Sequence, residues 1–91
     1  MAAGSHPPHA PKVRIYTTPH CYWCGVAKRY FAEKHIDYVE IDVSHDKRGL
    51  REMVLMSGQR GVPVIAVGDH AMLGWDVREF EKLRKGGFKR R

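Results

Sequence analysis

The chain predicts an α/β domain with a mixed four-stranded sheet, its elements running β-α-β-α-β-β-α. Three observations carry that reading. Apolar stretches over 13–17, 36–43 and 62–67 have strand character. Segments with helical spacing separate these three stretches. Gly68-Asp69 is a Gly-X pair suited to a two-residue hairpin, so the last two strands should be antiparallel.

Each element has its own local signal. Val13 to Thr17 reads as a buried strand, and Pro19 marks the loop that follows. A helix begins at Cys21 and runs to about Lys34, with Trp23, Ala27, Tyr30 and Phe31 at i, i+4, i+7 and i+8. Ile36 to Val43 forms the second strand. A helical connection between two strands makes them parallel, with a right-handed crossover. Ser44 can cap a second helix with Asp46 in its first turn. Leu50, Met53, Val54 and Ser57 form that helix's inner face, and Gly58 suits the position just past its end. Val62 to Val67 is a third strand with Pro63 at its start, and His70 to Leu73 a fourth. Asp76 caps the last helix, with Glu79 placed as in a capping box. Trp75 and Phe80 stand where a hydrophobic staple would form. Val77, Phe80 and Leu83 give the last helix its apolar stripe.

Length and charge bound the possibilities. With 91 residues, 43% of them hydrophobic, the chain is one small domain held by its core. We expect a disordered extension over 1–11, a folded domain over 12–85 and a basic tail over 86–91. No apolar run approaches membrane-helix length, and Met1 to Pro11 shows no apolar signal segment. Residues 1–81 carry ten Lys/Arg and ten Asp/Glu, so the net charge of +6 comes wholly from the last ten residues. Cations clustered at one short end with a single aromatic do not make a nucleic-acid-binding domain. Neither a nucleic acid nor a membrane is therefore an expected partner.

The chemistry points to Cys21-Tyr22-Trp23-Cys24, which holds both cysteines of the chain. A thiol at the start of a helix meets the positive end of the macrodipole and unpaired backbone N–H groups. Both favour the thiolate, the reactive form. A second cysteine at i+3 shares the helix face and can close a small disulfide ring. The spacing thus supplies a nucleophile and a second thiol to release it. A purely structural bridge across so short a loop would stabilise little. Half of a metal site is another reading, but no second cysteine pair exists, and only histidines such as His20 could complete it. No metal site is assigned. His20, beside Cys21, would favour the thiolate if protonated. His35, His45 and His70 are expected at the surface, and Met53, Met56 and Met72 in packing roles.

Three landmarks now fall in order: Cys21-Tyr22-Trp23-Cys24 after the first strand, Val62-Pro63 by the third, and Gly74-Trp75-Asp76 before the last helix. Over about Lys12 to Lys85 the sequence resembles the glutaredoxins, and Ser57 to Pro63 is close to their bacterial glutaredoxin-like members. The resemblance implies the thioredoxin fold, with strand order 2-1-3-4 and helices on both faces. It implies Cys21 as nucleophile, Cys24 as resolving thiol and a cis peptide bond before Pro63. Val62 would offer its backbone to a bound peptide or to glutathione. Trp23 would shape substrate contact. Gly74 and Asp76 would meet a γ-glutamyl group, and Gln59 and Arg60 a glycyl carboxylate. The chain departs from the family pattern at Tyr22-Trp23, Thr18, Arg60-Gly61, Leu73-Gly74 and Asp76-Val77. These departures weaken glutathione recognition more than thiol chemistry.

The resulting expectation is a thiol–disulfide oxidoreductase that reduces protein disulfides or glutathionylated proteins. It would be a monomer, with no tightly bound cofactor and glutathione as co-substrate. Its alternative is a glutaredoxin-like electron donor reduced by thioredoxin reductase. A further rival is an iron–sulfur or metal carrier with Cys21 as a ligand. A dithiol that must be re-reduced suits the cytoplasm.

Overall fold

The computed structural model describes residues 13–85, so the expectations for 1–11 and for the tail from 86 onward lie outside the described residues. Seven elements follow in order: β1 (Val13–Thr17), α1 (Tyr22–Glu33), β2 (Tyr38–Asp42), α2 (Lys47–Ser57), β3 (Val64–Val67), β4 (His70–Leu73) and α3 (Val77–Arg84). The strands form one sheet in the order β2-β1-β3-β4. β1 pairs parallel with β2, Val13 opposite Tyr38 and Thr17 opposite Asp42. It pairs antiparallel with β3, Val13 opposite Val67 and Tyr16 opposite Val64. β3 and β4 form the hairpin predicted at Gly68-Asp69, with Gly68 in the left-handed region at φ 61°. This is the thioredoxin fold.

Alternation along the two central strands splits the core in two. Val13, Ile15, Ile65 and Val67 join Ala27 and Phe31 of α1 and Phe80 of α3 on one face. Tyr16, Val64 and Ala66 join Met53 of α2 on the other. Strands covered on both faces read as near-continuous apolar runs, which is why β1 and β3 are so legible. An aromatic cluster ties α1 to α3: Trp75 lies 5.3 Å from Tyr30, 5.6 Å from Phe31 and 5.4 Å from Phe80, centroid to centroid. The Tyr30 hydroxyl donates to Glu81, whose other oxygen takes Arg84 at 2.8 Å.

Several boundaries differ from expectation. Asp46, not Ser44, caps α2: its backbone is extended and its carboxylate accepts the Gly49 N–H at 2.8 Å. Ser44 instead donates its hydroxyl and its N–H to Asp42. The second strand is trimmed to Tyr38–Asp42, leaving Ile36 as a half-buried residue packed on the core outside it. The third begins at Val64, because Pro63 has no N–H to give the ladder and follows a cis bond. Trp23 is not part of the buried face of α1; Cys24, Ala27 and Phe31 are. Val77 is 39% exposed, and Phe80 and Leu83 carry the inward face of α3 with Trp75 from the preceding loop. On α2, Met53 is buried while Leu50, Val54 and Ser57 are only half-buried. Gly49 packs so tightly that a Cβ there would collide with Ile41 of β2.

Two outcomes follow from the α1–α3 contact. Phe80→Ala should cost about 3–5 kcal/mol in urea denaturation, since the ring is fully buried and its neighbours are rigid aromatics. The hydrogen bond from Tyr30 holds the Glu81 carboxyl below its ordinary range. A group more acidic folded than unfolded stabilises above its unfolded pKa and loses that contribution as pH falls through its folded pKa. Tyr30→Phe should therefore cost about 1 kcal/mol near neutral pH. The gap from wild type should close in acid; a gap of the same size in acid would contradict the assignment.

Candidate active site

The sheet register decides where the site lies. β1 ends where β3 begins, and Val64 faces Leu73 at the end of β4. The segments after β1, before β3 and after β4 therefore gather at one end of the sheet. The Gly74 N–H donates to the Pro63 carbonyl at 2.9 Å and locks the last two together.

Cys21 occupies the N-cap of α1, with φ −95° and ψ 110°. Its N–H reaches the Thr18 carbonyl at 3.4 Å, and its sulfur accepts the Cys24 N–H at 3.1 Å. No acidic residue stands in the first turn of the helix. Cys21 and Cys24 form a disulfide, their Cα atoms 5.3 Å apart. Burial divides the two residues: Cys24 is 2% exposed on the core side, whereas Cys21 is only half-buried. In the reduced state the Cys21 sulfur at this helix end would keep the Cys24 N–H as a donor, an arrangement that favours thiolate. Tyr22 (73% exposed) and Trp23 (55% exposed) stand out from the first turn, packed edge to face at 5.1 Å. They form an apolar rim beside the disulfide and not part of the core.

The Val62–Pro63 bond is cis, as the resemblance implies. Pro63 is buried and Val62 half-buried against the α2-side core. Gly74 has φ 78°, a conformation that favours glycine and turns the chain from β4 towards Trp75. Asp76 is exposed, and its Oδ1 accepts the N–H groups of Arg78 at 2.9 Å and Glu79 at 3.3 Å. The cap read from sequence is therefore present. Gln59 has its side-chain amide turned onto its own loop. Nε2 donates to the Gly61 carbonyl at 3.0 Å, and Oε1 accepts the Gly61 N–H at 2.6 Å. Its visible work is to splint the loop into Pro63. Arg60 lies against the outer side of α2, with Leu50, Arg51, Val54 and Leu55. The structure thus brings Cys21, Cys24, Val62, Pro63, Gly74 and Asp76 to one end of the sheet. It sets Arg60 on the α2 flank.

One polar group near this end was missed in the sequence. Thr17, buried at the end of β1, donates its hydroxyl to Glu40 at 2.9 Å, and Lys28 reaches the same carboxylate oxygen at 2.9 Å. Lys28 follows Cys24 by one helical turn, so this bridge fixes α1 to β1 and β2 beneath the dithiol. The partners are 23 and 12 positions apart, and nothing local signals the pairing. Among the described residues, no group of three or more His, Cys, Asp or Glu is placed to hold a metal ion, and no helix is long and apolar enough to cross a membrane.

A half-buried cysteine at a helix cap, a buried partner cysteine one turn on, and a cis-proline loop alongside define a dithiol redox protein of the thioredoxin fold. Comparison with known proteins narrows the class. The glutaredoxin family model matches residues 13–72, and the chain belongs to that family. It is 39% identical over 71 residues to an uncharacterized glutaredoxin-like 8.6 kDa protein in the rubredoxin operon of Clostridium pasteurianum. That match covers 78% of this chain and 95% of the relative. Among solved structures, glutaredoxin from Archaeoglobus fulgidus superimposes with a TM-score of 0.75 at 21% identity, covering 92% of this chain and all of that one (100%). The glutaredoxin-like protein NrdH-redoxin of Escherichia coli, described as having a thioredoxin-like activity profile, gives a TM-score of 0.67 at 27% identity. It covers 78% of this chain and 92% of its own.

Asp76→Ala should destabilise the domain by about 1 kcal/mol in thermal or urea denaturation, with Asp76→Asn retaining most of the stability. Equal losses in both variants would show that the carboxylate's charge, not its capping oxygen, is what matters.

Proposed function

We propose that the protein is a dithiol reductant of protein disulfides, with Cys21 as nucleophile and Cys24 as resolving thiol. The observation that carries this reading is the unequal burial of two bonded cysteines at the start of α1, Cys21 half-buried and Cys24 buried. Cys21, the more exposed of the two, is the one to meet a substrate; Cys24, buried on the core side, is left to attack Cys21. In the forward reaction the Cys21 thiolate attacks one sulfur of the substrate disulfide. A Cys21–substrate disulfide forms, and the other substrate sulfur leaves as a thiolate. Cys24 gives up its proton and attacks Cys21, releasing the second substrate thiolate. The substrate has gained two electrons, and the chain is left with the Cys21–Cys24 disulfide. Val62, next to Pro63, offers its backbone to the extended substrate segment as a short strand pair, and Trp23 supplies an apolar contact beside the reacting sulfur.

For the return step we propose a thioredoxin-reductase type flavoprotein as the source of two electrons. The thioredoxin-like activity profile printed for the E. coli relative supports this. So does the Gln59 amide, which is committed to Gly61 and not turned outward. The second reading, glutathione as reductant, is favoured by the family match itself. In that case Gly74 and Asp76 would meet the γ-glutamyl end and Arg60 the glycyl carboxylate. Neither route requires a bound cofactor in this chain, and both suit a monomer in the reducing cytoplasm.

Insulin-disulfide reduction coupled to NADPH oxidation separates the two. Thioredoxin reductase alone should sustain turnover, and glutathione with glutathione reductase should not; the reverse outcome would install the second reading. Cys21→Ser should abolish turnover with folding intact. Cys24→Ser should stop after one attack and accumulate a mixed disulfide, visible by mass spectrometry. Alkylation of the reduced protein should show a midpoint below that of free cysteine, about 8.5. A midpoint at or above that value would remove the basis for Cys21 as an activated nucleophile.

A further inference from the structure

On the flank of α2 lies an open apolar depression of about 270 Å³, lined by Leu50, Val54 and Leu55 and edged by Arg51 and Arg60. Leu55 is 85% exposed, the most exposed large hydrophobic side chain among the described residues. An apolar depression with a charged rim has the make-up of a protein contact surface, apolar at its centre and polar at its edge. Its volume falls below the roughly 300–1,000 Å³ of small-molecule sites. A side chain presented by another protein fits that size better than a metabolite does.

Charge selects the occupant. Arg51 and Arg60 form no ion pair among the described residues. Lys47 and Arg48 add two exposed cations on the first turn of α2. The only acid of that helix, Glu52, is engaged by the Tyr16 hydroxyl at 3.5 Å on the sheet side. Four cations, Lys47, Arg48, Arg51 and Arg60, thus stand against two acids, Glu52 and the cap Asp46, so this flank is net basic, although charges over the domain nearly balance. The depression also adjoins the loop that leads into the active site. Arg60 stands three residues before Pro63, in the loop that Gln59 splints.

We infer that the α2 flank docks an acidic, leucine-bearing segment of the disulfide-containing protein partner, seating an aliphatic side chain on Leu50, Val54 and Leu55 with carboxylates on Arg51 and Arg60. Its identification with a redox partner rests on the function proposed above; the recognition itself does not. Contacts of this kind raise the encounter rate and fix the register of the partner's disulfide over Cys21. They leave the chemistry of the sulfurs untouched.

The test uses the full chain and a cysteine-free, fluorescein-labelled peptide, Asp-Glu-Leu-Asp-Glu-Leu, with a counterpart carrying lysine in place of each acid. Fluorescence anisotropy should show saturable binding of the acidic peptide that weakens as salt rises, and no saturation with the lysine peptide. Leu55→Asp and Arg51→Glu should each weaken binding by about tenfold or more, with circular dichroism and melting temperature as controls for folding. A chain carrying both Cys21→Ser and Cys24→Ser should bind as wild type does. Docking would then stand even if the redox reading failed. Absence of saturable binding, equal binding of both peptides, or indifference to Leu55→Asp and Arg51→Glu would each overturn the inference. So would a concentration-dependent dimer in sedimentation velocity that Leu55→Asp abolishes, since the flank would then belong to a second copy.

Discussion

The pairing of β1 on both its edges is the constraint on which this structure depends. β1 runs parallel to β2 and antiparallel to β3, so its C-terminal end meets the C-terminal end of β2 and the N-terminal end of β3. β4 then returns beside β3 and ends at the same place. The segments around Cys21, Pro63 and Gly74, far apart in the chain, are thereby held side by side. A one-residue slip of β1 would exchange Ile15 for Tyr16 between the two cores, so the register is enforced by burial on both faces.

The helices serve that frame in different ways. α1 buries one cysteine in the core and leaves the other half-buried at its end, because Cys21 sits in the cap and Cys24 on the buried stripe with Ala27 and Phe31. The Lys28–Glu40–Thr17 bridge pins the first turns of this helix to two strands. α3 closes over the same face through Phe80 and the indole of Trp75, which carries the Gly74–Asp76 segment with it. α2 covers the opposite face alone, and its outer side remains open to solvent.

Much of this was legible in the residues. The two central strands announced themselves as apolar runs, Gly68-Asp69 as a hairpin, and Asp76 as a cap. Cys21-Tyr22-Trp23-Cys24 revealed the chemistry because both residue type and spacing were informative. Ser44 and Asp46 were not separable in advance, since both can cap and the choice was made by Asp42, which captured the Ser44 hydroxyl. The helical spacing that enlisted Trp23 in the inner face was satisfied equally well by Cys24, and only packing distinguished them. Long-range polar contacts such as Thr17 with Glu40 leave no mark on either local segment. Gln59 shows the remaining gap: its residue type suited a ligand contact, yet its amide found a closer partner two residues away.

The confinement of both sulfurs to one ring has a consequence for survival under oxidative stress. The chain has two cysteines, and the disulfide engages them both. Peroxide converts an accessible thiolate stepwise to sulfenic, sulfinic and sulfonic acids, the later stages being irreversible. A sulfenic acid formed on Cys21 would have Cys24 one turn away, ready to condense with it and expel water. Once that bridge has closed, the chain offers peroxide no thiol at all, so the pair that makes the chain reactive also shelters it from permanent damage.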